Sequence, residues 1–151
     1  MNIEKSILPN LGKTVKFLDL LVEEELAAAG IPLSKLQFVF LMIISRNNKQ
    51  PQSNLAELTG RDKTTFTRNI NTLERKKLVT RKSSKTDKRI KLVCITPLGV
   101  ALMKTAMPVV DGIIHEIESD ISDQERESFL VTLAKIKNKL QEVRTKFNSE
   151  Q

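Results

Sequence analysis

Gly60-Arg61-Asp62 is the corner around which any fold of this chain has to be built. Before it, Ser53-Asn-Leu-Ala-Glu-Leu-Thr-Gly60 has the spacing of one short amphipathic helix, stopped by a glycine that accepts a left-handed cap at no steric cost. After it, Asp62 offers a side-chain acceptor suited to cap a helix from Lys63 to about Lys76. Two short helices joined by a glycine-containing turn of this length make a helix-turn-helix corner. Beyond Leu78 the period changes. Leu78-Val-Thr-Arg-Lys82 and Ile90-Lys-Leu-Val-Cys-Ile95 are rich in β-formers, and the polar stretch Ser83 to Arg89 separates them, so the segment predicts a β-hairpin with a basic tip.

Helices flank this centre. Leu11, Val15, Leu18, Val22 and Leu26 recur at three- and four-residue spacing and predict a helix from about Asn10 to Ala29, ended by Gly30-Ile-Pro32. Ser34 with Gln37 forms a capping box for a second helix, apolar on nearly every side from Phe38 to Ile44. A buried strand is the alternative there, and the capping box argues against it. Asn47-Asn-Lys-Gln-Pro51 is a turn cluster. Thr96-Pro97 opens a long helix to about Ser119, with a kink expected at Pro108, and Ser122-Asp-Gln-Glu125 opens the last. In that last helix Phe129, Leu133, Ile136, Leu140, Val143 and Phe147 alternate by four and three, the seam of helices that pack lengthwise.

Charge is concentrated where the corner lies. The chain of 151 residues carries +7 overall, and between Arg61 and Lys91 twelve Lys/Arg stand against Asp62, Glu74 and Asp87. That block is therefore +9 and the remainder −2. On a helical wheel Phe66, Ile70 and Leu73 face inward, whereas Thr64, Arg68, Asn71 and Arg75 cluster opposite, flanked by Thr65 and Thr67, with Lys63 at the helix start. An apolar face that docks and a donor face left outward is what reading base edges in a major groove requires. Arg68 suits guanine O6 and N7, Asn71 suits adenine, and the threonines suit phosphates or thymine methyls. In the hairpin, Lys82, Lys85, Lys88 and Arg89 surround Asp87; laid along a minor groove, such a tip would insert Arg89, with Asp87 pairing an arginine to hold its shape. The competing reading is a solvated polar face and a solvated loop tip, which the adjacency of the two makes less economical.

Other classes find little support. One His, one Cys, no glycine-rich phosphate loop and no metal-spaced ligand set leave no catalytic constellation, so no catalytic residue, metal or cofactor is expected. His115 lies mid-helix among isoleucines and reads as packed or partly exposed. Cys94 reads as a small buried hydrophobe, fits a reducing compartment and leaves no disulfide framework. Met1-Asn-Ile-Glu-Lys5 has no signal-peptide core, and the run Leu36 to Ile44 is too short to span a bilayer, so a cytoplasmic protein without a membrane partner is expected. Stacking aromatics are missing from the basic block, which disfavours RNA. A winged-helix module for protein–protein assembly would want an apolar recognition surface, and this one is Thr, Asn and Arg.

Between Leu33 and Gly99 the chain resembles the MarR family of winged helix-turn-helix regulators. The resemblance rests on three runs in order: Asn54-Leu-Ala-Glu-Leu58 with Asp62-Lys-Thr-Thr-Phe-Thr-Arg68; Leu73-Glu-Arg-Lys-Lys-Leu-Val79; and Asp87-Lys-Arg-Ile-Lys-Leu-Val-Cys-Ile-Thr-Pro-Leu-Gly99, like the family's D-x-R wing and "LT-x-x-G" helix entry. It implies a mainly α fold with a small β-hairpin wing: one domain over 1–151, with a DNA-binding core at about 34–96 and dimerisation helices at about 10–30 and 97–147. It implies DNA contacts from Thr64, Thr65, Thr67 and Arg68, a minor-groove role for Arg89 and a bracing role for Asp87. It also implies a homodimer through the first and last helices, Leu11, Val15 and Leu18 included, and a cleft for a small-molecule effector. The partners expected are therefore double-stranded DNA at a pseudo-palindromic operator, a second copy of the chain, and such an effector, with repression the expected outcome. Two departures stand out: Lys77 occupies a position where the family has glycine, and no cysteine lies in the first helix, where oxidant-sensing members carry one.

Overall fold

The computed structural model describes residues 5–149. Met1 to Glu4, where the signal-peptide reading falls, and the last two residues of the single-domain span 1–151 lie outside them. The chain separates into two compact units, divided between Ile113 and Ile114.

The first unit begins with α1 (Ile7–Ala28), three residues earlier than the sequence predicts. Its end is a left-handed turn: Gly30 has φ 70°, and the amides of Gly30 and Ile31 donate to the carbonyls of Ala27 and Leu26. α2 (Lys35–Arg46) starts with the capping box expected of Ser34 and Gln37 and buries Phe38, Phe40, Leu41 and Ile44. α3 (Gln52–Thr59) closes on Gly60 at φ 62°, and Asp62 caps α4 (Lys63–Arg75), which buries Phe66, Ile70 and Leu73. The Phe66 ring lies 5.5 Å from that of Phe40, joining α4 to α2. These side chains share one core with Val22, Leu26, Leu55, Val79 and Val93. Fully burying side chains of this size stabilises by about 1.5–3 kcal/mol each, so this cluster is what fixes the orientation of α4.

The hairpin is present as β2 (Val79–Ser83) and β3 (Lys91–Ile95), but the sheet has a third strand that the sequence reading takes for a turn. β1 (Gln50–Pro51) pairs antiparallel with the far edge of β3, giving the order β1-β3-β2. Two neighbouring contacts explain it. The Lys49 amide donates to the Val93 carbonyl, and the Asn48 side-chain oxygen accepts from the Ile95 amide. Lys49 turns the chain with φ 63°, and Pro51, lacking an amide, is tolerated because β1 is an edge strand. Ile90 falls outside β3 and is exposed, whereas Val93 and Cys94 are both buried. Consecutive residues of a strand point to opposite faces, so both faces of β3 are covered at this point, and Cys94 is the small buried residue expected.

α5 (Pro97–Glu118) is one continuous helix with Pro108 inside it. It carries an 18-residue window of mean hydropathy 1.4, long and apolar enough by length and composition to cross a membrane. The run-based reading passes over it because Lys104, Thr105, Pro108 and Asp111 interrupt the apolar residues. Gly99, Met103, Ala106 and Val110 are buried, so one stripe of α5 packs on the core described above. In the second unit, Ser122 and Glu125 form the expected capping box of α6 (Asp123–Ser149): the Ser122 amide donates to Glu125 Oε2 (3.0 Å) and the Glu125 amide to Ser122 Oγ (3.4 Å). Arg126 donates to Glu118 and Asp123 across the turn between α5 and α6.

Candidate nucleic-acid interface

α4 is presented by its two ends. At its start the Asp62 carboxylate accepts from the Thr65 amide at 2.8 Å and from the Thr65 hydroxyl at 2.7 Å. These bonds favour the charged form and hold Asp62 below the usual carboxylate range, the Thr65 amide contributing most. At its end the Lys77 and Leu78 amides donate to the Glu74 and Leu73 carbonyls, a Schellman turn that puts Lys77 at φ 58°. Lys77 thus adopts the left-handed conformation that glycine takes without strain. Lys76 Nζ donates to the Pro32 carbonyl and to Gln37 Oε1, tying the end of α4 to the start of α2.

With Phe66, Ile70 and Leu73 buried, the opposite face of α4 is left outward. Lys63, Thr64, Thr67, Arg68 and Asn71 line one open groove of about 400 Å³. Its lining contains two cations, two hydroxyls and one amide, and no acid. Of the remaining expected residues, Thr65 lies outside this lining, and its hydroxyl is engaged by Asp62. Arg75 is exposed further along the helix, donating to Thr72 Oγ1 at 3.3 Å. Lys82 is exposed at the outer end of β2, and Lys85, Asp87, Lys88 and Arg89 are exposed on the tip. Asp87 shapes that tip without pairing an arginine side chain: its Oδ1 accepts from the Arg89 amide (2.9 Å) and its carbonyl from the Ile90 amide (3.0 Å). The Ser84 amide closes the loop on the Ile90 carbonyl. The geometry leaves the Arg89 guanidinium to solvent.

One residue that the sequence reading leaves among the generic cations joins these parts. Arg81, on β2, donates through Nε to Gln52 of α3 (3.1 Å) and through its terminal nitrogens to Glu74 and Asn71 of α4, the latter at 2.7 Å. Its own amide donates to Glu74 Oε1 at 3.0 Å. The wing, α3 and α4 are therefore cross-braced by one guanidinium whose side chain is 20% exposed. A trace existed in the sequence: Glu74 is the lone acid between Lys63 and Arg81.

The residues expected at a dimer contact lie on α1 and α6. On α1, Leu11 is half-buried and Val15 and Leu18 are exposed, whereas Val22 and Leu26 enter the core. On α6, Phe129, Leu140, Val143 and Phe147 are exposed and Leu133 and Ile136 half-buried. His115 is exposed on α5. Among the described residues no three His, Cys, Asp or Glu side chains are grouped to hold a metal ion.

Comparison with known proteins places this site in context. The model of the MarR family matches residues 33–91, the span from before α2 to the start of β3. The HTH-type transcriptional regulator YdgJ of Bacillus subtilis is 26% identical over 117 residues, covering 78% of this chain and 70% of the relative. The fold matches that of S. aureus MepR in a MepR–DNA complex with a TM-score of 0.83, at 20% identity over 92% of this chain and 99% of that one. It matches Bordetella bronchiseptica BpsR, whose DNA binding is regulated by 6-hydroxynicotinic acid, with a TM-score of 0.82 at 20% identity over 91% and 96% of the two chains.

Proposed function

We propose that this chain, whose residues 33–91 match the MarR family model, is a winged helix-turn-helix transcription regulator that binds DNA, acting as a homodimer and as a repressor on a pseudo-palindromic operator in double-stranded DNA. The observation that carries the reading is the outward face of α4: an open groove lined by Lys63, Thr64, Thr67, Arg68 and Asn71 without an acid. Arg75 and the wing residues Lys82, Lys85, Lys88 and Arg89 extend the same charge. In this reading α4 enters the major groove, where Arg68 reads guanine, and the wing lies along the flanking backbone with Arg89 in the minor groove. Thr64 and Thr67 position the helix on phosphates. Asp87 holds the wing loop in shape, and Thr65 acts through Asp62 by fixing the first turn.

Homodimerisation is supported by the α6 seam. Phe129, Leu140, Val143 and Phe147 stand exposed at lengthwise-packing spacing, and leaving such side chains in water forgoes about 25 cal/mol for each Å² that a partner would cover. Two copies would set two recognition helices on half-sites about one helical turn apart, roughly 10 base pairs. BpsR is regulated by a small molecule, and a small-molecule effector is proposed here as well. It would release DNA by binding more tightly to a dimer whose helices are wrongly spaced. The chain works in the cytoplasm, where the operator is, and no catalysis is assigned to it.

The test is selection of bound duplexes from a random pool, followed by a salt titration on the winning sequence. An enriched inverted repeat with a steep salt slope is expected, each neutralised phosphate adding about −0.9. No enriched motif, with binding lost at modest salt, would leave the basic block a nonspecific patch and favour an assembly module. Replacing Arg89 with Ala should weaken binding and lower the slope by about 1; unchanged affinity across salt concentrations removes Arg89 from the interface.

A further inference from the structure

The wing has two faces, and the contacts of Arg81 identify which of them looks toward α4. From β2 its side chain reaches Glu74 and Asn71, so its side of the strand is the side of the recognition helix. Side chains alternate along a strand, and directly opposite residues of an antiparallel pair share a face. Ser83, two residues beyond Arg81, and Lys91, its partner in the register, stand on that same face about 7 Å nearer the tip. Arg81 is half-buried, whereas Ser83 and Lys91 are exposed. The two meet: Lys91 Nζ donates to Ser83 Oγ at 2.9 Å. An ammonium has three protons, of which Ser83 takes one, and a hydroxyl that accepts still has its own proton to give. Among the described residues no other hydrogen bond or ion pair claims these protons. The pair is left with one positive charge and three protons to donate.

We propose that Lys91 and Ser83 form a clamp for one phosphate of the DNA backbone, a further binding site between the base-reading face of α4 and the wing tip. This rests on the DNA-binding reading of α4 and the wing. The major and minor grooves of a duplex are separated by a sugar–phosphate strand. A hairpin that runs from a helix in one groove to a tip in the next has to cross that strand. Ser83 and Lys91 are what its α4-facing side presents between Arg81 and the tip. A backbone phosphate is anionic and its free oxygens accept, which matches a charge and three protons. Lysine and serine bound to phosphate fix register without reading sequence. Lys91 thus decides where the wing sits on the backbone and leaves the choice of bases to α4. By sequence it is one cation among twelve; its pairing with Ser83 is what sets it apart.

Duplex selection with the full-length wild type supplies an operator, in which a methylphosphonate then replaces one phosphate at a time and removes its charge. Between the bases read by α4 and the groove taken by the wing, one such replacement in each half-site should cost the wild type roughly tenfold in affinity. Lys91→Met keeps the stem of the side chain and removes the ammonium. It should bind the same motif with a salt slope lower by about 1 for each half-site, and the same replacement should no longer matter to it. Lys91→Arg should retain the slope. Ser83→Ala should weaken binding roughly three- to tenfold with the slope unchanged, because a hydroxyl carries no charge. A wild type indifferent to every phosphate between the two grooves overturns the proposal without any variant. So does a Lys91→Met protein that binds more weakly but keeps the wild-type slope and the wild-type response to each methylphosphonate, the mark of a merely structural role. Ser83→Ala binding as tightly as the wild type removes the clamp, and a changed motif in Lys91→Met makes Lys91 a base reader instead. If the wild type enriches no motif, the DNA-binding reading fails and takes this one with it, an outcome distinct from a clear motif that Lys91→Met binds with the wild-type slope.

Discussion

Lys77 occupies a backbone conformation that costs an ordinary residue about 1 kcal/mol and costs glycine little. Its amide and that of Leu78 nonetheless close the Schellman turn, so the core contacts of Leu73 and Leu78 outweigh the strain. Lys77→Gly should therefore raise the urea unfolding free energy by about 0.5–1 kcal/mol with DNA affinity nearly unchanged; a variant of equal or lower stability would show that the lysine side chain compensates. Asp62 governs the opposite end of α4. Because the Thr65 amide and hydroxyl favour its charged form, its pKa is lower folded than unfolded. Its contribution to stability is then fully present above the ordinary carboxylate range and drains away as pH falls through the lowered value. Asp62→Asn keeps a capping oxygen but no titrating group, so its stability should fall less steeply than the wild type's between about pH 6 and about pH 3. Parallel acid limbs in chemical denaturation would assign that titration to other carboxylates.

Among the elements, Gly99 shows how the first turn of α5 is seated. A Cβ there would stand 2.2 Å from the Leu78 carbonyl oxygen and 2.8 Å from Ile95. The same carbonyl accepts from the Thr96 amide (3.0 Å), and Thr96 Oγ1 accepts from the Gly99 amide (3.0 Å), so backbone rather than a pliable side chain fills the space. Gly99→Ala should lower stability by about 1–3 kcal/mol, read by urea denaturation; a neutral result would mean that α5 shifts freely against the wing. Helix ends and inward faces were legible from sequence wherever a local pattern set them: Ser34 with Gln37, Gly60, Asp62, Ser122 with Glu125, and the stripe of Phe66, Ile70 and Leu73. β1 was not, because two residues have no period and its existence depends on Asn48 and Lys49 meeting a strand far along the chain. The outward residues of α4 were legible as a set, since a wheel places side chains. Their individual states were not. Thr65 is held by its own cap and Asn71 by Arg81. The second is a contact across elements that no periodicity encodes.

At the scale of the molecule, the exposed seam of α6 and the exposed Val15 and Leu18 of α1 are surfaces that a lone chain leaves in water. Leu140→Asp places a charge in the middle of the α6 seam and should convert a dimer to monomers in sedimentation, weakening operator binding through lost half-site linkage. A variant that sediments as the wild type moves the interface off this seam. The strand order carries a different consequence, for how the molecule comes to be folded. β3 pairs with Gln50–Pro51 on one side and with Val79–Ser83 on the other, so α3 and α4 are strung between two partners of a single strand. Joining Gln50 to Val93 requires the chain between them to be closed into a loop before the pairing repays its entropy, a topology that slows folding. β3 is accordingly a clasp: until it is in place, the chain on either side of α4 has no pairing partner, and the local hairpin with β2 can form before the distant pairing with β1.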